Sequence, residues 1–357
     1  MDKQPIYVTK SFLPPIEDYI EYLEKIWESN QLTNNGQFVQ ELEDKLKDYL
    51  GVKHLFFVSN GTIALQIAIK ALGLHGEVIT TPFSYVATTS SLVWEGCQPV
   101  FVDIDPQALC INPDLIEDAI TEETTGILAT HVYGIPCAVE KIQKIAQKYR
   151  LKVLYDAAHT FGGRFKGKSI VSYGNISTLS FHATKVFHTV EGGAVITDDD
   201  ALAHLISYMR NFGHKGQEEF WGLGINGKNS EFHAAMGLLN LPHISEIIAG
   251  RKKVCEWYDE LLGGADITRP LIPDETLYNY IYYPVLFPSE TALLNAKEHM
   301  NAHSIFPRRY FYPSLNHLPY VTQDEFTITD QVAPCVLCLP LYPGLDKSEI
   351  IKISSII

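Results

Sequence analysis

This chain has no run of apolar residues near the ~18 that a membrane-spanning helix requires, and no membrane role is expected of it. It has no excess of positive charge: 28 Lys and Arg stand against 42 Asp and Glu, a formal charge of −14. Nucleic-acid and membrane-surface proteins usually carry a basic patch, so neither partner is expected. The first residues, MDKQPIYVTK, lack the apolar stretch of a signal peptide, and the expected compartment is the cytosol. Internal repeats and low-complexity segments are absent. Cysteine is sparse and scattered, at 97, 110, 137, 255, 335 and 338. Cys335 and Cys338 form a lone C-x-x-C in PCVLCLPLYP, and no second ligand pair has zinc-like spacing. The cysteines are read as buried thiols, and no metal is expected.

What is present is ordinary globular composition, 46% hydrophobic and 20% charged over 357 residues. That length implies two domains, or one large domain with an appendage. From about 55 to 200, short β-rich runs alternate with helical stretches. The runs are HLFFVS (54–59), EVIT (77–80), PVFVDI (99–104), GILATH (126–131), KVLYD (152–156), STLSF (177–181) and GAVIT (193–197). Helices are expected over 62–72, 86–95, 113–120 and 138–149. This alternation implies crossover units and a mostly parallel seven-stranded sheet. Residues 243–262 read as one amphipathic helix, followed by a strand at YIYYPVLF (280–287) and a helix at 289–302. The expected division is an N-terminal arm and large domain over 1–242 and a small α+β domain over 243–357.

Four segments can carry chemistry. Ser59-Asn60-Gly61-Thr62 follows a β-run and opens a helix, so its N–H groups suit an anion such as phosphate, or simply a helix cap. Asp156, in YDAAH, ends an apolar strand, where α/β sheets bind ligands; it reads as a ligand group or as a cap. Lys185, in SFHATK before Glu191-Gly192-Gly193, is a candidate amine nucleophile, because buried lysines lose basicity and form Schiff bases with carbonyls. His182 and His188 beside it read as loop or packing histidines. Gly224-Ile225-Asn226-Gly227-Lys228 is a turn that offers an amide, with Ser230 able to cap the helix after it.

Pyridoxal phosphate joins these pieces. It needs a helix N-terminus for its phosphate, a carboxylate for its pyridine nitrogen, a hydrogen-bonding group for its phenolic oxygen and a lysine for its aldehyde. Tyr85, in TPFSYVAT, is the candidate aromatic support for the ring face.

The order SNGTIAL, TPFSYVAT, PVFVDID, HVYG, DAAH, SFHATK, EGG and GINGK…AAMGL resembles the DegT/DnrJ/EryC1/StrS family of sugar aminotransferases, fold-type I pyridoxal-phosphate enzymes. The resemblance runs from TNNG at 33 to PRRYFYPSL at 307–315. It implies that Lys185 links the cofactor and that Asp156 partners the pyridine nitrogen. It puts His159 beside the phenolic oxygen, and Gly61, Thr62 and Ser180 on the phosphate. Tyr85 would stack on the ring, and Asn226 would reach the phosphate in the neighbouring subunit of a homodimer with shared sites. Many members carry Arg where this chain has Lys228, which keeps the charge but not the bidentate fork.

The resemblance further implies transfer of an amino group from L-glutamate to a nucleotide-linked keto sugar. SFHATKVF…EGGA with GINGK looks most like the enzymes acting at C4 of dTDP-4-keto-6-deoxyglucose, as in viosamine formation. Amination at C3 and UDP-linked substrates are the alternatives within the family. Surface-glycan synthesis, such as O-antigen, is its usual setting. Substrate contacts are expected from Asn34, Asn35, Glu191 and Lys228, and from Arg308, Arg309, Tyr310 and Tyr312 in FPRRYFYP. The related sugar 3-dehydratases replace the lysine by histidine, so Lys185 argues against that activity. A non-catalytic binding protein of this fold is the reading from another class; the presence of both Lys185 and Asp156 argues against it.

Overall fold

The computed structural model describes residues 4–322 and 324–357. Seven strands form the central sheet: β1 (His54–Val58), β2 (Glu77–Thr80), β3 (Gln98–Phe101), β4 (Thr124–Thr130), β5 (Lys152–Asp156), β6 (Ile176–Ser180) and β7 (Gly193–Thr197). Their order is β1-β7-β6-β5-β4-β2-β3, with β7 antiparallel to both neighbours and every other pair parallel. All seven runs read from the sequence are strands of this one sheet.

The strands read as continuous apolar runs because both faces are covered. Side chains alternate between faces with period two, and the packing sorts them accordingly. Val78, Leu128 and Leu154 join one core, with Leu65 and Ile69 of α3 (Gly61–Ala71). Ile79, Ile127, Ala129, Val153 and Tyr155 join the opposite core, with Ile142 and Ile145. Two charged helices precede the sheet, α1 (Ile16–Ser29) and α2 (Gln37–Leu50), and both pack on the helix Glu231–Asn240. The second is capped from afar: buried Glu231 accepts from Phe38 N (2.7 Å) and Val39 N (3.2 Å).

The C-terminal part contains the helix Ile244–Leu262, the helix Glu290–Ala302, the helix Lys347–Ser354 and an antiparallel pair, Tyr283–Leu286 with Val336–Leu339. Two expectations are corrected here, and one strand is added. Residues 113–120 form two short 3-10 turns, Pro113–Leu115 and Glu117–Ala119, not one helix, the first capped by Asn112 Oδ1. The strand expected at 280–287 is confined to Tyr283–Leu286, because Tyr280 takes a left-handed φ of 53° that ends a ladder. The apolar run around Cys338 is itself a buried strand, paired with Tyr283–Leu286.

Candidate active site

The carboxyl ends of parallel strands gather functional groups along one edge of a sheet. Here β5 ends at Asp156 and β6 at Ser180, and α3 begins just beyond β1. The loops leaving these strands enclose a cavity of about 250 Å³. Gly61, Thr62, Tyr85, Asp156, His159, Ser180, Lys185, Glu191 and Tyr310 all line it, nine of the residues singled out from the sequence.

Asn60 caps α3, its Oδ1 accepting from Ile63 N at 2.9 Å. With Asn60 in the cap position, the Gly61 and Thr62 N–H groups lead the helix without intrahelical acceptors. Glycine at 61 eases a close approach, since a Cβ there would lie 3.0 Å from Ser180 Cβ. At Gly193 glycine is required, because a Cβ would come within 2.6 Å of the Asn60 carbonyl group. These contacts hold the helix start against the ends of β6 and β7.

Asp156 is buried. Its Oδ2 accepts from Thr88 Oγ1 (2.7 Å) and its Oδ1 from Ala158 N (3.1 Å). Burial raises its pKa, opposed by those two donors and by the charge of Lys185. Lys185 sits in a turn closed by its own N–H to His182 O at 2.9 Å. Desolvation lowers its amine to about 8, partly offset by Asp156. His159 is held well below its usual range by burial, then by the Lys185 charge, so its imidazole is neutral near pH 7. Its Nδ1 is buried without a partner. Its ring stacks on Phe311, with centroids 5.7 Å apart and 11° between planes.

The other predicted residues lie elsewhere on this chain. Asn35 and Lys228 line a separate cleft with Arg210, where Asn35 Oδ1 accepts from Arg210 Nη2 at 3.3 Å. Asn34 occupies the same left-handed turn. Lys228 Nζ donates to Asn226 Oδ1 (2.9 Å) and covers the Phe212 ring at 4.5 Å. Asn226 is exposed and does not line its own chain's pocket. Arg309 is engaged by Glu290 (2.6 Å) and Pro334 O (2.9 Å) and stacks on Tyr312. Arg308 faces a second hollow beside Lys297 and Tyr7, its guanidinium over the Tyr310 ring.

The pocket residues that escaped the sequence reading include Ser84, Tyr282, Phe311 and His182. Ser84 adjoins Tyr85 in a segment already singled out. Tyr282 and Phe311 come from the C-terminal part and wall the cavity. His182, read as a loop histidine, lines the pocket with Nε2 3.6 Å from Glu191 Oε1. His188 is indeed a packing residue, buried with Nε2 2.6 Å from Phe12 O.

Among the described residues, no group of three or more His, Cys, Asp or Glu is arranged to hold a metal ion. No described helix is long and apolar enough to cross a membrane.

The model of the DegT/DnrJ/EryC1/StrS aminotransferase family matches residues 15–357. A dTDP-4-amino-4,6-dideoxy-D-glucose transaminase of Shigella dysenteriae is 44% identical over 98% of this chain and 97% of its own. A protein of the same name from Escherichia coli is 41% identical over 100% of this chain and 99% of its own. The solved structure of DesI in the presence of its TDP-sugar product has a TM-score of 0.94 and 32% identity, covering 99% of this chain and 92% of that one. With sequence, sheet order and a lysine–aspartate pocket all in agreement, the chain belongs to the DegT/DnrJ/EryC1/StrS aminotransferase family.

Proposed function

We propose that this aminotransferase moves an amino group from L-glutamate to C4 of dTDP-4-keto-6-deoxyglucose, giving a dTDP-4-amino-4,6-dideoxyhexose, with pyridoxal phosphate as cofactor. The observation that carries the reading is the meeting of Lys185, Asp156 and the N-terminus of α3 in one cavity. The two relatives named above, each matched along nearly its whole length, support the C4 position and the dTDP carrier.

The donor set suits the cofactor. The Gly61 and Thr62 N–H groups, with the Ser180 hydroxyl, would hold the phosphate, where the helix dipole favours an anion. Asp156 presents a buried carboxylate for a protonated pyridine nitrogen. His159 offers an unpartnered buried nitrogen, suited to a phenolic oxygen. Tyr85, 56% exposed at the cavity rim, would cover the ring face. When bound, pyridoxal phosphate supplies a carbonyl for amine exchange and an electron sink for the carbanion.

The chain's own work is acid–base and positional. With its amine near 8, Lys185 can link the aldehyde and can take and return a proton at Nζ. Tyr282, Tyr310 and Phe311 shield the cavity from water. Glu191 and His182 line the same cavity and offer polar groups to a sugar hydroxyl.

Each site is completed by a second copy in a homodimer. Asn226 is exposed away from its own pocket, beside exposed Phe212, Trp221, Leu223 and Ile225, which is a surface suited to a partner. With Arg309 engaged by Glu290 and Arg308 facing another hollow, a cation for the sugar-linked diphosphate would come from the partner's surface.

The test is incubation with glutamate and a panel of nucleotide keto sugars, with products read by mass and NMR. Nitrogen on C4 of the dTDP sugar supports the reading. Nitrogen on C3, or a preference for a UDP sugar, overturns the substrate assignment and leaves the aminotransferase intact. No 2-oxoglutarate from glutamate with any sugar overturns the activity.

A further inference from the structure

Behind Asp156 runs a chain of three buried hydroxyls from three segments: Ser84 before the helix Val86–Trp94, Thr88 in its first turn, and Thr130 at the end of β4. Thr130 is the register partner of Asp156 on the adjacent parallel strand, so the two side chains leave the same face of the sheet. Thr88 Oγ1 is placed to donate to Asp156 Oδ2 at 2.7 Å, and Ser84 Oγ to Thr130 Oγ1 at 3.0 Å. Ser84 and Thr88 are themselves 2.8 Å apart, with either able to donate.

Each hydroxyl has one proton. If Thr88 and Ser84 both point outward, the contact between them holds none. Two arrangements put one proton in every contact. In the first, a neutral Asp156 donates to Thr88, Thr88 to Ser84, and Ser84 to Thr130. In the second, Thr130 donates to Ser84, Ser84 to Thr88, and Thr88 to an ionised Asp156. The Ser84–Thr88 contact admits either donor, so hydroxyl rotation separates the two arrangements there, while the Ser84–Thr130 contact is oriented for Ser84 to donate.

We infer that Ser84, Thr88 and Thr130 are positioning residues for Asp156, forming a reversible hydroxyl chain that satisfies its carboxyl group in either protonation state. This rests on the reading of Asp156 as the partner of the cofactor's pyridine nitrogen. When Asp156 gives its proton to that nitrogen, one carboxyl O–H bond breaks and one N–H bond forms. The electron pair stays on the carboxylate, and the hydroxyls turn without breaking an O–H bond. Without the chain, a change of charge at this buried position would strand a donor or an acceptor, which is costly where water cannot enter. The other groups facing Asp156 do not replace the chain. Lys185 lies across the cavity, His159 and His131 are held neutral by burial, and the Cys137 thiol is held protonated by burial.

The test uses cofactor-free protein labelled with ¹³C in its aspartate carboxyl groups, the Asp156 signal being assigned by its loss in Asp156→Asn. Thr88→Val keeps the shape but removes the donor to the carboxylate. It should raise the Asp156 midpoint by about one pH unit, the counterpart of a tenfold change. Ser84→Ala should raise it less and Thr130→Val least, because each acts through the next hydroxyl. Thr88→Ser restores the donor and should titrate as the parent does. Pyridoxal phosphate should bind Thr88→Val about tenfold more weakly, read by absorbance. An unmoved midpoint in Thr88→Val, or a Thr88→Ser variant that fails to restore it, overturns the inference. If Thr88→Val does not fold, an unmoved midpoint in Ser84→Ala has the same force. Should the parent protein fail to bind pyridoxal phosphate, the cofactor reading falls instead, while the titration still judges the chain.

Discussion

Raising the pH should speed the attachment of pyridoxal phosphate to Lys185 only as far as about pH 8. An ordinary lysine has its midpoint near 10.5; desolvation in this cavity brings Lys185 to about 8, even with Asp156 pulling the other way. The free base is the reactive form. At pH 7 it makes up about a tenth of Lys185, against roughly one part in three thousand for a midpoint of 10.5, an advantage of about 300-fold. The assay mixes apoprotein with pyridoxal phosphate at pH values from about 6 to 10, quenches with borohydride and measures the fixed adduct, with an acetylated lysine amide run in parallel as the ~10.4 reference. The ratio of the two rates should be greatest below pH 8 and should shrink above it. Because the Asp156 charge raises the Lys185 midpoint, Asp156→Asn should move the break to lower pH. A Lys185 rate that climbs in parallel with the free amide through pH 10 would refute the reasoning.

Asp156→Asn should also keep the fold but slow the glutamate half-reaction by about 10- to 150-fold, the loss of one charge-assisted hydrogen bond at the ring nitrogen, as measured by stopped-flow absorbance. Near-normal rates would count against that role. Glu231→Ala strands the Phe38 and Val39 N–H groups at a buried helix start; it should cost about 1–3 kcal/mol, seen as a lower urea midpoint, with Glu231→Gln costing less. Mixing inactive Lys185→Ala with inactive Asn226→Asp should restore part of the activity, because one hybrid site carries neither lesion. A fully active monomer in sedimentation would refute the shared site.

The sheet was legible because its strands are buried on both faces and bounded by turn residues, so that KVLYD and GAVIT stand out without any tertiary information. The pocket was legible where a motif places its group at a strand end, as with Asp156, Lys185 and Gly61. What could not be read depends on contacts distant in the chain. Nothing near Phe311 indicates that its ring stacks on His159, 152 positions earlier. Ser230 was visible as a cap for its own helix, and it accepts from His233 N. Its neighbour Glu231 was not, because the helix it caps lies 193 positions upstream. Arg309 looked like a free cation in FPRRYFYP; only the fold sets Glu290 against it. The expected helix over 113–120 had suitable apolar spacing, but Pro113 and the Asn112 side chain favour a tighter turn there.

Reduction of the pyridoxal-phosphate-loaded protein with borohydride, followed by proteolysis and mass mapping of the pyridoxyl group, tests the central assignment most directly. The modification should fall on the SFHATK peptide at Lys185, at one equivalent per chain. Its appearance on any other lysine, or its absence from a protein that still transaminates, would contradict it.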